Sequence, residues 1–228
     1  DAFRGIGDVI EDLDDSIIEG ITAENMSGFK QGQLEKMDVE TVALLSEDAI
    51  SGIGEDQAGG LTMDFIDAIG DKVDELSGDV FKDLNDNVVE ELTADFAQDL
   101  SVDQLTGLGD ADNLDLLEDD FIGAIGADQA KGVTAGLMAG IGDKLESLAG
   151  EVIAGLSNDT VADLTADTLG NMTDDQLEVL ADSDLAEFVS DDARAGLSDN
   201  DLDALDLDPI DITATDPVID AAAPTVTI

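Results

Sequence analysis

The side chains in this sequence that could do chemistry are carboxylates, and one group of them is spaced like a set of metal ligands. Alternating acidic oxygens open the calcium loop of an EF-hand, because Ca²⁺ takes hard oxygen ligands. The sixth and twelfth positions, where that loop needs Gly and Glu, hold Ala204 and Ile210. The pattern therefore predicts either a looser Ca²⁺ site or a solvated acidic helix. The candidate ligands are Asp199, Asp201, Asp203, Asp206 and Asp208.

A second group of aspartates lies at an irregular joint of the chain. Asp110, Asp112 and Asp115 fall in a nine-residue stretch, residues 109–117, where the surrounding sequence repeats in eights. An extra residue at such a joint can fold a loop around a cation, and aspartate supplies the short oxygen ligands that suit Ca²⁺. These three residues are candidate Ca²⁺ ligands, with simple solvation of the same carboxylates as the alternative.

Other reactive side chains are missing from the sequence. The chain has no Cys, His, Trp or Tyr, which excludes thiol, imidazole and disulfide chemistry and sites for soft metals. Paired carboxylates can act as acid and base in glycosidases. Sugar binding normally needs aromatic platforms, however, and the aromatic residues here are seven phenylalanines. We therefore expect no enzymatic activity.

The net charge of the chain limits the classes of molecule that it can bind. Its 57 acidic and 8 basic residues give a formal net charge of −49, which repels nucleic acids and anionic membranes. No apolar run reaches the roughly 18 residues of a membrane span, so we expect no membrane insertion. The apolar share of 43% is too high for a disordered acidic tail. We expect a folded protein whose internal repulsion is screened by salt or divalent cations.

A repeat of eight residues must position these carboxylates. Its template is a capping residue, any residue, an acid, any residue, an apolar residue, two variable residues, and Leu or Ile. Clear copies are SGDVFKDL, NDNVVEEL, TADFAQDL and SVDQLTGL over residues 77–108, and SNDTVADL, TADTLGNM and TDDQLEVL over residues 157–180. Self-similarity at a short fixed period is typical of stacked solenoids that serve as scaffolds or binding surfaces.

Each unit predicts one short, capped helix of about two turns. The first residue is a preferred N-cap, the acid meets the positive end of the helix dipole, and the fifth and eighth residues share one face. A continuous helix is disfavoured, because eight residues rotate the apolar stripe by roughly 80°. The predicted helix breaks lie near Thr62, Ser77, Asn85, Thr93, Ser101, Ser157, Thr165 and Thr173, and the predicted buried residues are Leu84, Leu92, Leu100, Leu108, Leu156, Leu164 and Leu180.

A longer repeat of 72 residues lies on top of the short one. GEDQA at residues 54–58 recurs as GADQA at 126–130, and GDK at residues 70–72 recurs at 142–144. Both GDK segments open a unit that is one residue short, which indicates duplication of a nine-unit block, about residues 38–109 and 110–181. Because 72 residues are three groups of three units, a coil with three helices per turn fits this period.

The predicted fold is therefore all-α: a solenoid or superhelix of short capped helices over residues 1–205, followed by a tail over residues 206–228. The tail contains all three prolines and ends in TVTI, an alternating β-prone segment. An unpaired strand is a template for pairing. We expect the tail to begin a following β-domain or to pair with a neighbouring subunit.

Two parts of the chain resemble large repetitive secreted bacterial surface proteins of the adhesin type. AAAPTVTI at residues 221–228 resembles the entry strand of bacterial immunoglobulin-like repeats. SVDQLTGL at 101–108 and TDDQLEVL at 173–180 resemble the short-helix repeats of such proteins. The resemblance implies an extracellular or cell-surface protein with a structural or adhesive role.

The sequence thus favours a structural segment of an extracellular filament, surface fibre or adhesin stalk, stabilised by divalent cations. Its expected partners are further copies of itself or neighbouring domains of the same long chain. Two alternatives stay open: an acidic binding module for a cationic partner or a mineral, and an intracellular halophilic scaffold.

Overall fold

A computed structural model describes residues 13–208, and this part of the chain is all-α, as the sequence predicts. It contains nineteen α-helices and five 3₁₀ helices, and residues 13–208 contain no β-strand. The α-helices are α1 Asp15–Ile18, α2 Ala23–Met26, α3 Gln31–Leu34, α4 Val39–Ala43, α5 Glu47–Ile50, α6 Glu55–Ala58, α7 Met63–Ile69, α8 Gly78–Lys82, α9 Asp86–Glu91, α10 Ala94–Asp99, α11 Val102–Leu108, α12 Asp119–Ala124, α13 Ala135–Ile141, α14 Gly150–Ala154, α15 Asn158–Ala162, α16 Ala166–Gly170, α17 Asp174–Asp182, α18 Asp191–Gly196 and α19 Asp199–Ala204. The 3₁₀ helices are Gly70–Glu75, Leu114–Leu116, Ala127–Gly132, Gly142–Ser147 and Ala186–Phe188.

The helices begin at the capping residues of the sequence repeat. At α11, for example, the Ser101 hydroxyl accepts a hydrogen bond from the Gln104 amide at 3.3 Å. This bond satisfies one of the free N–H groups of the first helical turn. Every position at which a break is predicted is the N-cap of a helix: Thr62, Ser77, Asn85, Thr93, Ser101, Ser157, Thr165 and Thr173.

The apolar positions of the repeat form one core that runs from Ile18 to Leu205. Helices of four to nine residues are unstable alone in water, so this burial must hold them in place. The leucines that end the repeat units supply much of the core. All those predicted to be buried are at most 5% exposed: Leu84, Leu92, Leu100, Leu108, Leu156, Leu164 and Leu180.

Contacts between helices follow a regular order along the chain. With the 3₁₀ helices included in the order, most contacts join a helix to the third one after it, as α2 does with α5, α8 with α11 and α14 with α17. Many side-chain hydrogen bonds likewise connect residues that are 24 to 32 positions apart. Each helix is therefore packed on neighbours that lie about 24 residues away in sequence.

Two glycines end helices in the left-handed conformation. Gly70 and Gly142, which are 72 residues apart, have φ angles of 54° and 55° and follow α7 and α13 directly. A residue without Cβ adopts this conformation at little cost, so both positions suit glycine. The glycines of the other described Ile-Gly pairs, Gly54 and Gly126, are instead N-caps of the next helix with negative φ.

The predicted tail lies almost entirely outside the described residues. Residues 206–208 follow α19, and the prolines and the predicted strand at 225–228 lie beyond the described range. Pairing of that strand stays a prediction.

Candidate functional site

Three of the predicted cation ligands lie on the short helix α19. Asp199, Asp201 and Asp203 are all within its six residues. One of them is already engaged, because the Asp201 carboxylate accepts hydrogen bonds from the Ser198 amide at 3.2 Å and from the Ser198 hydroxyl at 2.7 Å. These bonds form a capping box, in which the residue at the third helical position reaches back to the N-cap. Asp201 therefore has a structural role at the start of the helix.

The remaining two candidates in this group lie just after α19. Asp206 has a φ of 54° and lines a surface groove with Asp182, the last residue of α17, and with Asp184. Asp208 is engaged through its main chain, since its carbonyl oxygen accepts a bond from the Arg194 guanidinium at 2.7 Å. The structure thus brings Asp206 together with carboxylates that the sequence analysis did not select.

In the second group of candidate ligands, two residues line a groove and the third is engaged through its main chain. Asp110 and Asp112 line a groove with Asp83 and Asp86, which come from the end of α8 and the start of α9. Asp115 is engaged through its main chain, because its carbonyl oxygen accepts a bond from the Lys144 ammonium at 2.8 Å. Two segments that are distant in sequence therefore face each other across this acidic groove.

The partner carboxylates that the sequence analysis missed have a sequence signal. Asp86 and Asp182 lie 24 residues before Asp110 and Asp206, which is the spacing of neighbouring helices in the core. Within residues 13–208, no group of three or more carboxylates is close enough to hold a metal ion. Ca²⁺ binding at these aspartates stays a prediction, and the two grooves are where candidate aspartates meet carboxylates of another segment.

Some carboxylates stabilise the starts of helices by accepting hydrogen bonds there. The Asp38 side chain accepts a bond from the Thr41 amide at 2.8 Å, and hydrogen bonding to Thr41 lowers the pKa of this carboxyl from its usual value of 3.8. Hydrogen bonds from the side chain and the amide of Ser16 lower the pKa of Asp14 in the same way. Hydrogen-bond donors favour the ionised form of a carboxyl group. These two caps are therefore strongest when the Asp14 and Asp38 carboxyls are ionised.

Buried glutamines provide the most regular polar contacts of the molecule. In Gln104, which is 1% exposed, the amide oxygen accepts a bond from the Ser101 amide at 2.9 Å. Its amide nitrogen donates to the carbonyl oxygens of Val73 and Leu76, at 2.8 and 2.9 Å. One side chain thus caps its own helix and the end of the 3₁₀ helix four elements earlier. The same arrangement recurs at Gln57, Gln129 and Gln176.

Lysines of the 72-residue repeat act in a related way. The Lys72 ammonium donates to the carbonyl oxygens of Ala43 and Leu45, at 3.0 and 2.7 Å. Its repeat partner Lys144 donates to those of Asp115 and Leu117, at 2.8 and 2.7 Å. In a chain with 57 carboxylates, these two cations are thus used on helix ends, where they complement the negative end of the helix dipole.

These glutamines and lysines have no role that the sequence alone predicts. The available signal was an amide at the fourth position of a unit, between the acidic residue and the apolar residue, as in DQL and DQA. A buried amide needs partners for its donors and its acceptor, and the unit alone supplies only one of them. The others had to come from elsewhere in the chain.

No helix within residues 13–208 is long and apolar enough to span a membrane. No protein-family model matches the chain, and the search of curated proteins found no match.

Proposed function

We propose that this chain is a structural segment of an extracellular filament, surface fibre or adhesin stalk. In this proposal the short helices form a coil with three helices per turn, and successive turns stack along one axis. The contact of each helix with the third one after it supports this arrangement, because the partner then lies one turn away. Helix axes pack about 9 Å apart, so about eight turns would make a rod about 70 Å long.

The observation that carries the proposal is the repeated bonding between turns. Gln57, Gln104, Gln129 and Gln176 each tie a helix to main-chain oxygens of the turn before, and this pattern spans most of the described chain. A buried amide in two or three bonds resists sliding of one turn on the next, because sliding would leave buried polar groups unpaired. Rigidity along the axis is the property that a stalk or filament needs.

The exposed carboxylates suit the same role. They keep neighbouring rods soluble and apart, while bound cations reduce the repulsion within each rod. In the proposal Ca²⁺ or another divalent cation resides near the acidic grooves at Asp110 and Asp206, where two turns contribute carboxylates. The cation then adds to the cohesion of adjacent turns.

Removal of divalent cations at low salt is expected to lower the thermal midpoint of the protein by about 5 °C or more, because unscreened repulsion destabilises the folded state. The measurement is a melting curve followed by circular dichroism, with and without chelator. In about 1 M NaCl the chelator should have no effect, since the screening length falls to about 3 Å. An unchanged midpoint at low salt would show that no divalent ion contributes.

The functional proposal itself is tested by locating the protein in its native cells. Gold-labelled antibodies raised against residues 13–208 should decorate fibres or stalks at the cell surface in electron micrographs. Labelling confined to the cell interior would contradict the proposal and favour an intracellular scaffold.

A further inference from the structure

One surface groove has a partly exposed aromatic side chain, that of Phe96, in its lining. It has a volume of about 430 Å³ and lies between the junction of α7 with the 3₁₀ helix Gly70–Glu75 on one side and α10 on the other. Its lining includes Ile66, Val73 and Phe96. Exposed carboxylates surround this apolar lining: Asp67, Asp71, Asp74, Asp95 and Asp99.

Phe96 adds an aromatic surface to this negatively charged groove. Phe96 is only partly buried, and its ring stacks on the buried Phe81 with 6.3 Å between ring centroids and 29° between ring planes. A ring held in place by a second ring offers a fixed surface to a ligand. The face of an aromatic ring attracts cations, and it attracts arginine in particular because the planar guanidinium can stack on it.

The lysine nearest in sequence to the groove is directed elsewhere. Lys72 lies between two of the acidic residues, but its ammonium donates to the carbonyl oxygens of Ala43 and Leu45. The groove lining itself contains five aspartates and no basic residue. The groove therefore presents concentrated negative charge beside an apolar and aromatic lining.

The 72-residue repeat supplies a comparison within the same chain. The framework recurs in the second block, where Gly142 repeats the left-handed Gly70 and Thr165 repeats the N-cap Thr93. The groove residues diverge, with Ala139, Thr168 and Asn171 in place of Asp67, Phe96 and Asp99. Because the fold forms without these three groups in the second block, neither the aromatic ring nor the extra carboxylates are needed to build the coil.

We propose that this groove is a docking site for a basic peptide segment of a partner protein, with an arginine guanidinium on the ring of Phe96 and the aspartates around it. A peptide is favoured over a lone metal ion, because the apolar lining adds to the binding free energy only of a ligand that has an apolar stem. Arginine has such a stem and keeps its charge at all relevant pH values. This proposal goes beyond the structural role and does not depend on it.

The test uses the full chain and a fluorescein-labelled hexa-arginine peptide, with affinity measured by fluorescence anisotropy in 150 mM NaCl. The variant D67A/F96T/D99N converts the groove to the residues of the second block and is expected to weaken binding at least tenfold. The control E146Q/D167N removes two exposed acids from the corresponding region of the second block and should weaken binding less than twofold. Circular dichroism checks that both variants remain folded.

A second variant separates the aromatic contribution from charge. F96L keeps an apolar side chain against Phe81 and leaves the net charge unchanged, and the loss of the cation–π contact should weaken hexa-arginine binding about three- to fivefold. Three results would overturn the proposal: no peptide binding in 150 mM NaCl, equal losses in the groove variant and its control, or unchanged affinity in F96L. The last two would mean that the peptide binds to the acidic surface without a specific site.

Discussion

Replacing Gln104 with glutamate is expected to lower the free energy of unfolding by about 4 kcal/mol. The Gln104 amide nitrogen donates to two carbonyl oxygens in a buried setting. A glutamate carboxylate cannot donate and would place a negative charge against both oxygens. Gln104→Leu introduces no charge but still leaves those oxygens and the Ser101 amide without their partner, so we expect a loss of about 3 kcal/mol.

Urea unfolding followed by circular dichroism measures both losses. Gln98→Glu is the matched control, because Gln98 is exposed and its amide donates to the Ala94 carbonyl within its own helix at 3.4 Å. The control should change the free energy of unfolding by less than about 0.5 kcal/mol. If the two glutamate variants were equally stable, the buried glutamine would have no special part in holding neighbouring helices together.

Replacing Gly107 with alanine is expected to cost about 3 kcal/mol, because the new methyl group has no room. A Cβ at this position would overlap the main chain of Gly78 on the neighbouring helix α8. The same junction is held by the Asp103 carboxylate, which accepts a bond from the Gly78 amide at 2.9 Å. Separating the two backbones to admit a methyl group would stretch this bond and the bonds of Gln104.

The control for this variant is Gly170→Ala, at a glycine where a Cβ would meet no atom within 4 Å. Alanine favours the helix more than glycine does, so this change should leave the stability unchanged or raise it by about 0.5 kcal/mol. Both variants are measured by the same urea titration. A Gly107→Ala protein as stable as the Gly170→Ala protein would show that α8 and α11 do not approach each other closely in solution.

The helix starts and the buried leucines could be predicted because both depend on local chemistry. A capping side chain such as Thr93 bonds the amide of Phe96 three residues later, and an apolar residue at the end of each unit faces the same side as one three residues before it. These contacts involve residues within one unit, so a single unit contains the information. The sequence is accordingly a good guide to where each helix begins and which side is buried.

Contacts between units could not be predicted in the same way. The angle at which the chain turns between two helices depends on packing, so the partners of Gln104 at Val73 and Leu76 are not visible in any one unit. The two copies of the 72-residue repeat also differ at single positions. Val179 stands in the second block where Gly107 stands in the first, so the close approach at Gly107 has no equal in the repeat.

The candidate metal ligands show a further limit of sequence reasoning. A carboxylate that caps a helix and one that binds a cation have the same chemistry and the same preference for helix starts. The sequence pattern predicts Asp201 as a ligand, but its carboxylate accepts hydrogen bonds from Ser198. Only the three-dimensional neighbours distinguish the two roles.

The most direct test of the stacked coil is the distance between its two ends. The chain has no cysteine, so nitroxide labels can be attached specifically to the exposed positions of Glu24→Cys and Asp199→Cys and their separation measured by double electron–electron resonance. About seven turns of about 9 Å each separate these positions, which predicts a distance of about 65 Å. A mean distance below about 45 Å, the diameter of a compact ball of this many residues, would contradict the rod and the function proposed for it.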